Sequence, residues 1–109
     1  MPETWKFFIV QINYLIPQDQ MTEVRAAHRA FLKEGYEKGW LLISGPLIPP
    51  TGGFVVARAP SREAIEELFS RDPYHLQQAA THEFIEFNPV FRQEFLEEWV
   101  TGKDKLSNH

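Results

Sequence analysis

The sequence predicts an α+β domain of β-α-β-β-α-β order, the split βαβ arrangement called ferredoxin-like. It has a four-stranded antiparallel sheet with its helices on one face. Three observations carry this. Four short runs rich in β-branched and aromatic residues are bounded by Gly, Pro and Asp. Helical stripes follow the first and third of them. The first run is apolar on both of its faces, so a sheet with helices on one side still has a second face to cover. That second face predicts dimerisation through the sheet, and a homodimer or higher homo-oligomer rather than a monomer.

The first strand is read at Trp5 to Ile12, with Trp5, Phe7 and Ile9 on one face and Phe8, Val10 and Ile12 on the other. Pro17 and Asp19 then open a helix to about Glu37, with Asp19 as N-cap. Its stripe is Met21, Val24, His28, Phe31, Leu32 and Gly35. Gly39 ends it as a C-cap glycine. Trp40 to Ser44 reads as the second strand, broken by Gly45-Pro46, and Phe54 to Arg58 as the third. Gly52-Gly53 at the start of that strand permits close approach of another backbone or a ligand. Ser61 caps a second helix whose buried stripe is Ala64, Ile65, Leu68 and Phe69. Asp72-Pro73 restarts the chain as cap and first position of a short helix to about Ala80. His82 to Asn88 alternates as the fourth strand. Pro89 to Val100 reads as a last helix with the stripe Phe91, Phe95, Leu96 and Trp99, expected to pack on a partner or cap the sheet. Residues 1–100 form one domain in this reading, and Thr101 to His109 a polar, disordered tail.

Composition narrows the function. A chain of 109 residues with 43% hydrophobic and 14% aromatic content builds a single ordered core. It has no cysteine, so thiolate catalysis, thiolate metal sites and disulfides are excluded. The net charge of −4, with acids and bases interspersed, leaves no footprint for nucleic acid or an anionic membrane. No apolar run approaches the ~20 residues that span a bilayer. The N-terminal stretch Met1-Pro2-Glu3-Thr4-Trp5 lacks a signal peptide's basic start and apolar run, so the expected location is cytoplasmic. No GxGxxG, P-loop or GxSxG motif occurs, which argues against nucleotide cofactors and serine hydrolase chemistry.

His28 is the first irregularity in the pattern, a titratable group within an apolar stripe. It reads either as a helix histidine satisfied by a hydrogen bond or as a general acid or base, because imidazole titrates near neutral pH. Asp72 reads either as a helix cap or as a carboxylate that orients His28 from the neighbouring helix. Arg25, one turn before His28, is a candidate for holding an anionic substrate group, or a solvated surface arginine. Tyr74 either donates a phenol proton or packs. His75 and His82 read as surface or strand-edge residues. His28, Asp72 and His82 could in principle bind zinc, and a metal-dependent variant using His28 and Asp72 with water is a third reading, but no tight ligand spacing of the HExxH kind is present, and no metal is expected.

Several motifs resemble the YciI (YCII-related) family. They are Arg25-x-x-His28 followed by Phe31 and Leu32, Gly39-x-Leu41-Leu42-x-x-Gly45-Pro46, Asp72-Pro73-Tyr74, and Asn88-Pro89-Val90, in order over roughly residues 5 to 90. The resemblance implies a ferredoxin-like domain that dimerises through its sheets, as in the dimeric α/β-barrel superfamily. It implies a site around a His–Asp pair, here His28 and Asp72, with Arg25, Tyr74, Gly45 and Pro46 toward the substrate. One branch of the family is similar to enzymes that eliminate chloride from chlorinated hydroxyquinols, and related folds include muconolactone isomerases and cofactor-free monooxygenases. Where the family tends to carry an Ala-Gly pair after Asp-Pro-aromatic, this chain has Gln77-Gln78-Ala79-Ala80. The final helix also extends past the usual end of the domain. The expectation is a small cofactor-independent enzyme doing elimination, dehydrohalogenation or isomerisation on a small molecule. The alternative is a non-catalytic dimeric ligand-binding or accessory protein.

Overall fold

The structure is a computed structural model that describes residues 4–108. Met1 to Glu3 of the N-terminal stretch and His109 of the expected tail lie outside the described residues. Four strands, β1 (Lys6–Tyr14), β2 (Leu41–Pro46), β3 (Gly52–Ala59) and β4 (Ala80–Phe87), form one antiparallel sheet in the order β2-β3-β1-β4. The helices are α1 (Thr22–Glu37), α2 (Arg62–Ser70), the single-turn α3 (Pro73–Leu76) and α4 (Glu97–Thr101).

Strand parity decides the layers. Phe8, Val10 and Ile12 of β1 and Val55, Ala57 and Ala59 of β3 are buried under α1 and α2. From the helices, Val24, Ile65, Leu68 and Phe69 complete this core. The opposite parity gives Ile9, Phe54, Val56, Ile85 and Phe87 to the other face, where Phe54, Ile85 and Phe87 are exposed. The two-faced first strand is therefore real, and it lies second from one edge of the sheet.

Gly52 shows how tightly β3 approaches β1. A Cβ there would stand 1.8 Å from the Ile12 carbonyl oxygen, so no side chain fits. Gly39 adopts φ +75°, the left-handed conformation that ends α1 without strain. Ser61 caps α2, its Oγ accepting from Ala64 N at 3.1 Å.

Four local expectations are corrected. Asp19 caps nothing: a 3₁₀ turn covers Gln18–Gln20, and α1 starts only after Met21 with no side-chain cap. Gly45-Pro46 does not break β2 but forms its last two residues. The short helix after Asp72 ends at Leu76, because Ala79 and Ala80 are already turned into the core and into β4. The continuous helix from Pro89 to Val100 is replaced by irregular chain, a 3₁₀ turn at Glu94–Leu96 and α4. Its supposed stripe splits: Trp99 is buried against Phe7, whereas Phe91 and Phe95 are 96% and 81% exposed.

The segment that composition reads as a polar tail is joined to the fold over residues 101–108. Arg58 on β3, fully buried, donates to the carbonyl oxygens of Gly39 and Trp99 and pairs in bidentate fashion with Asp104 at 2.8 and 2.9 Å. Its guanidinium lies over the rings of Trp5 and Trp99, 4.3 and 4.9 Å from their centroids. Trp99 Nε1 donates to Gly39 O as well. Arg58 thus clasps the C-terminal segment to one end of the open sheet face.

Candidate active site

Asp72 is built by its local sequence. Its extended backbone ahead of Pro73 makes it the N-cap of α3, and Oδ1 accepts from Tyr74 N at 3.0 Å. Capping therefore accounts for one of its bonds. The same carboxylate, fully buried, accepts from two histidines: Oδ1 meets His28 Nδ1 at 2.8 Å and Oδ2 meets His82 Nε2 at 2.8 Å. His28 comes from the buried face of α1, two turns after Met21. His82 comes from β4, opposite Ile12 of β1 and on the same side of the sheet as Phe84.

A carboxylate at this depth survives only if its charge is met. Burial alone pushes the Asp72 pKa up. The hydrogen bonds from His28 and His82, the charge of His28 and the Tyr74 amide outweigh it and hold the carboxyl below its ordinary 3.8. An ionised Asp72 fixes both tautomers. A hydrogen bond to that carboxylate requires a proton on His28 Nδ1 and on His82 Nε2, and in a neutral His28 imidazole Nε2 is then the acceptor nitrogen. Tyr74 stacks on the His28 ring, with centroids 3.8 Å apart and planes 7° apart, so the imidazole cannot tip. Burial pushes the Tyr74 phenol up to about 12, helped by the neighbouring Tyr14 phenol and opposed by the Arg25 guanidinium. Tyr74 is thus a neutral hydrogen-bonding group at neutral pH.

A cavity of about 400 Å³ opens beside this assembly, between α1 and the β2–β3 end of the sheet. Its walls include His28, Tyr74, Arg25, Gly45 and Pro46, so all of the expected site residues except Asp72 line it. Asp72 stands behind His28 and reaches the cavity only through it. Tyr14, Arg29, Ser44 and Phe54 complete the part of the wall that concerns ligand chemistry. The arrangement pairs a positioned base with a space the size of a small ligand.

One residue was misplaced by reading the sequence. His82 is not a strand-edge residue: its side chain is 5% exposed and holds the second oxygen of Asp72. The signal was its parity with Phe84, which put both on the helix-covered face. Among the described residues, no group of three or more His, Asp or Glu side chains converges as metal ligands do. The histidine nitrogens face Asp72 across hydrogen bonds rather than a common point.

The family model of the YCII-related domain matches residues 7–88. The chain belongs to the YCII-related family. No curated protein matches it. Among solved structures, it is similar to the 5-chloro-2-hydroxyhydroquinone dehydrochlorinase of Burkholderia phenoliruptrix AC1100 in complex with 2,5-dihydroxybenzoquinone. The TM-score is 0.61 at 18% identity, covering 82% of this chain and 96% of that one. At that identity the likeness speaks for the fold. The YCII-related match ends before α4, so Arg58 lies inside the matched region, whereas Trp99 and Asp104, which it holds, lie beyond it. Within the departing run Gln77-Gln78-Ala79-Ala80, Gln78 adopts φ +56°, the left-handed conformation a glycine takes without strain.

Proposed function

We propose that the protein is a small enzyme of general acid/base chemistry acting by elimination or isomerisation on a small organic substrate. One observation carries this reading: His28, hydrogen-bonded through Nδ1 to the buried carboxylate of Asp72, lines a ligand-sized cavity. His28 Nε2 takes a proton from an sp3 carbon next to the leaving group or, in the keto tautomer of a chlorinated hydroxyquinol, from a ring hydroxyl conjugated with the sp3 carbon that bears chlorine. The electron pair of the broken C–H or O–H bond shifts to form the new π bond at that carbon, and the leaving group departs with the electrons of its own bond, as chloride in a dehydrochlorination. Asp72 stabilises the imidazolium that forms. In an isomerisation the same imidazolium returns the proton to another carbon. Arg25, Tyr74, Gly45 and Pro46 hold and shape the substrate. No step in this scheme calls on a cofactor.

The likeness to a dehydrochlorinase makes chlorinated hydroxyquinols the first substrates to try. Chloride release and product absorbance are measured for wild type and His28→Gln. The expected result is a loss of about 10²- to 10⁴-fold in turnover, the usual contribution of a positioned acid or base, with an unchanged fold by circular dichroism. Retained turnover in His28→Gln sinks the assignment. If wild type turns over nothing while it still binds the quinone, the ligand-binding alternative replaces the enzyme.

We further propose that the working form is a homodimer closed over the open sheet face. Ile9, Val56, Ile85 and Phe87 supply an apolar centre there, and exposed Val90, Phe91 and Phe95 beside β4 reach the partner. A monomer mass by light scattering at micromolar concentration excludes it.

A further inference from the structure

We infer that the cavity selects an anionic substrate, and that Arg29 acts with Arg25 as the pair that holds its charge. This deepens the function proposed above and rests on the same cavity. Arg25 and Arg29 stand one turn apart on α1, on either side of His28 in sequence, and both line the cavity. No aspartate or glutamate shares that lining.

The contrast with the other arginines is the argument. Arg58 pairs with Asp104, Arg62 with Glu66 and Glu86, Arg71 with Glu34 and Glu67, and Arg92 with Glu97. Acids outnumber bases in this chain, 15 to 11. Yet among the described residues neither Arg25 nor Arg29 lies within ion-pair distance of one. The Tyr74 phenol, a neutral group, is a neighbour of the Arg25 guanidinium. Two guanidiniums around one concave, partly apolar space form a fork suited to an oxyanion brought by the ligand. The remaining wall, with Tyr14 and Pro46, suits a flat ring. The ligand class is therefore a small aromatic or quinonoid compound with an ionised oxygen substituent, a carboxylate or an acidic enol.

Calorimetric titration near neutral pH tests this with two matched pairs. One pair is 2,5-dihydroxybenzoate and its amide; the other is 2,5-dihydroxybenzoquinone and its dimethyl ether. The ionised member of at least one pair is expected to bind about tenfold tighter or more than its neutral partner, the worth of one charge-assisted hydrogen bond. The pair that shows the preference identifies the oxyanion. Arg25→Gln/Arg29→Gln is expected to abolish the preference, and added salt to weaken it. His28→Gln is expected to keep it, because the charge is held independently of the base. Equal binding within both pairs, binding of none of the four, or a preference that survives the double substitution overturns the inference. None of those results touches the acid/base reading, which stands or falls on turnover in His28→Gln.

Discussion

Among the described residues two charged side chains are completely buried, Asp72 and Arg58, and the molecule treats them differently. Arg58 is consumed. Its Nε, Nη1 and Nη2 all donate to protein oxygens, and tryptophan rings cover its flat surface. Asp72 is also fully hydrogen-bonded, but one of its partners is a histidine with a nitrogen to spare and a cavity beside it. A buried charge is thus not in itself the mark of a site. The mark is an unspent valence, one bond removed from the charge, facing room for a ligand. The first cluster fastens a chain end, whereas the second, in the function proposed above, prepares a base.

Substitutions that separate stability from function sharpen this contrast. Arg58→Ala removes a buried cation and leaves two tryptophans and a carbonyl cluster without it. We expect a loss of about 3 to 5 kcal/mol in urea unfolding, with quinone affinity of the remaining folded protein unchanged. A matching loss of affinity at native temperature would show that the clasp belongs to the site. Asp72→Asn acts in the opposite way. The amide oxygen still caps α3, but the charge that holds the proton on His28 Nδ1 is gone, so the expected loss in stability is smaller, about 1 to 3 kcal/mol. Turnover is expected to fall about 10²-fold or more, because nothing then stabilises the imidazolium or selects the tautomer. Nitrogen-15 shifts of the His28 ring report the tautomer directly. An unchanged Nδ1–H signature in Asp72→Asn contradicts the role given to the carboxylate.

Acid sharpens the same comparison. Asp72 has a folded pKa below its unfolded value of 3.8, so its stabilising contribution is present in full above that value. The contribution fades as pH falls through 3.8 toward the lower folded value. Unfolding followed over that range should be less steep in Asp72→Asn than in wild type. Identical slopes place the acid sensitivity in other carboxylates. The smallest effect is at Gln78. Its left-handed backbone costs a side-chain-bearing residue about 1 to 2 kcal/mol, part of which glycine gives back as lost chain entropy in the folded state. Gln78→Gly is expected to raise stability by up to about 1 kcal/mol in the same denaturation assay. A loss would mean that the Gln78 side chain makes a contact worth more than the strain.

Much of this was legible in the residues themselves. The four strands and two main helices follow from alternation and from the α1 and α2 stripes, and Ser61, Gly39 and Asp72-Pro73 mark their ends. The motifs pointed to His28 and Asp72 as a pair. Their spacing did not: they stand 44 positions apart, and only the packing of α3 beside α1 closes that gap. His82 was legible in principle through its parity with Phe84, but a histidine in a polar-looking strand start outweighed that signal. The last helix failed for a physical reason. Phe91 and Phe95 carry a helical spacing, yet they have no core of their own protomer to face, and a stripe without a surface to bury against does not hold a helix. The clasp was invisible because Asp104 and Arg58 look like ordinary surface charges until the chain turns at Gly102.

The place of β1 in the sheet has a consequence for synthesis. The first strand of this sheet to be synthesised ends up with β3 on one side and β4 on the other, paired with residues 52–59 and 80–87. It therefore waits for most of the chain before either neighbour exists, and its two apolar faces are exposed while it waits. Non-local pairing of this kind slows folding and leaves the nascent chain open to association. For this protein the hazardous interval is translation itself, and it closes only when Phe87 has emerged.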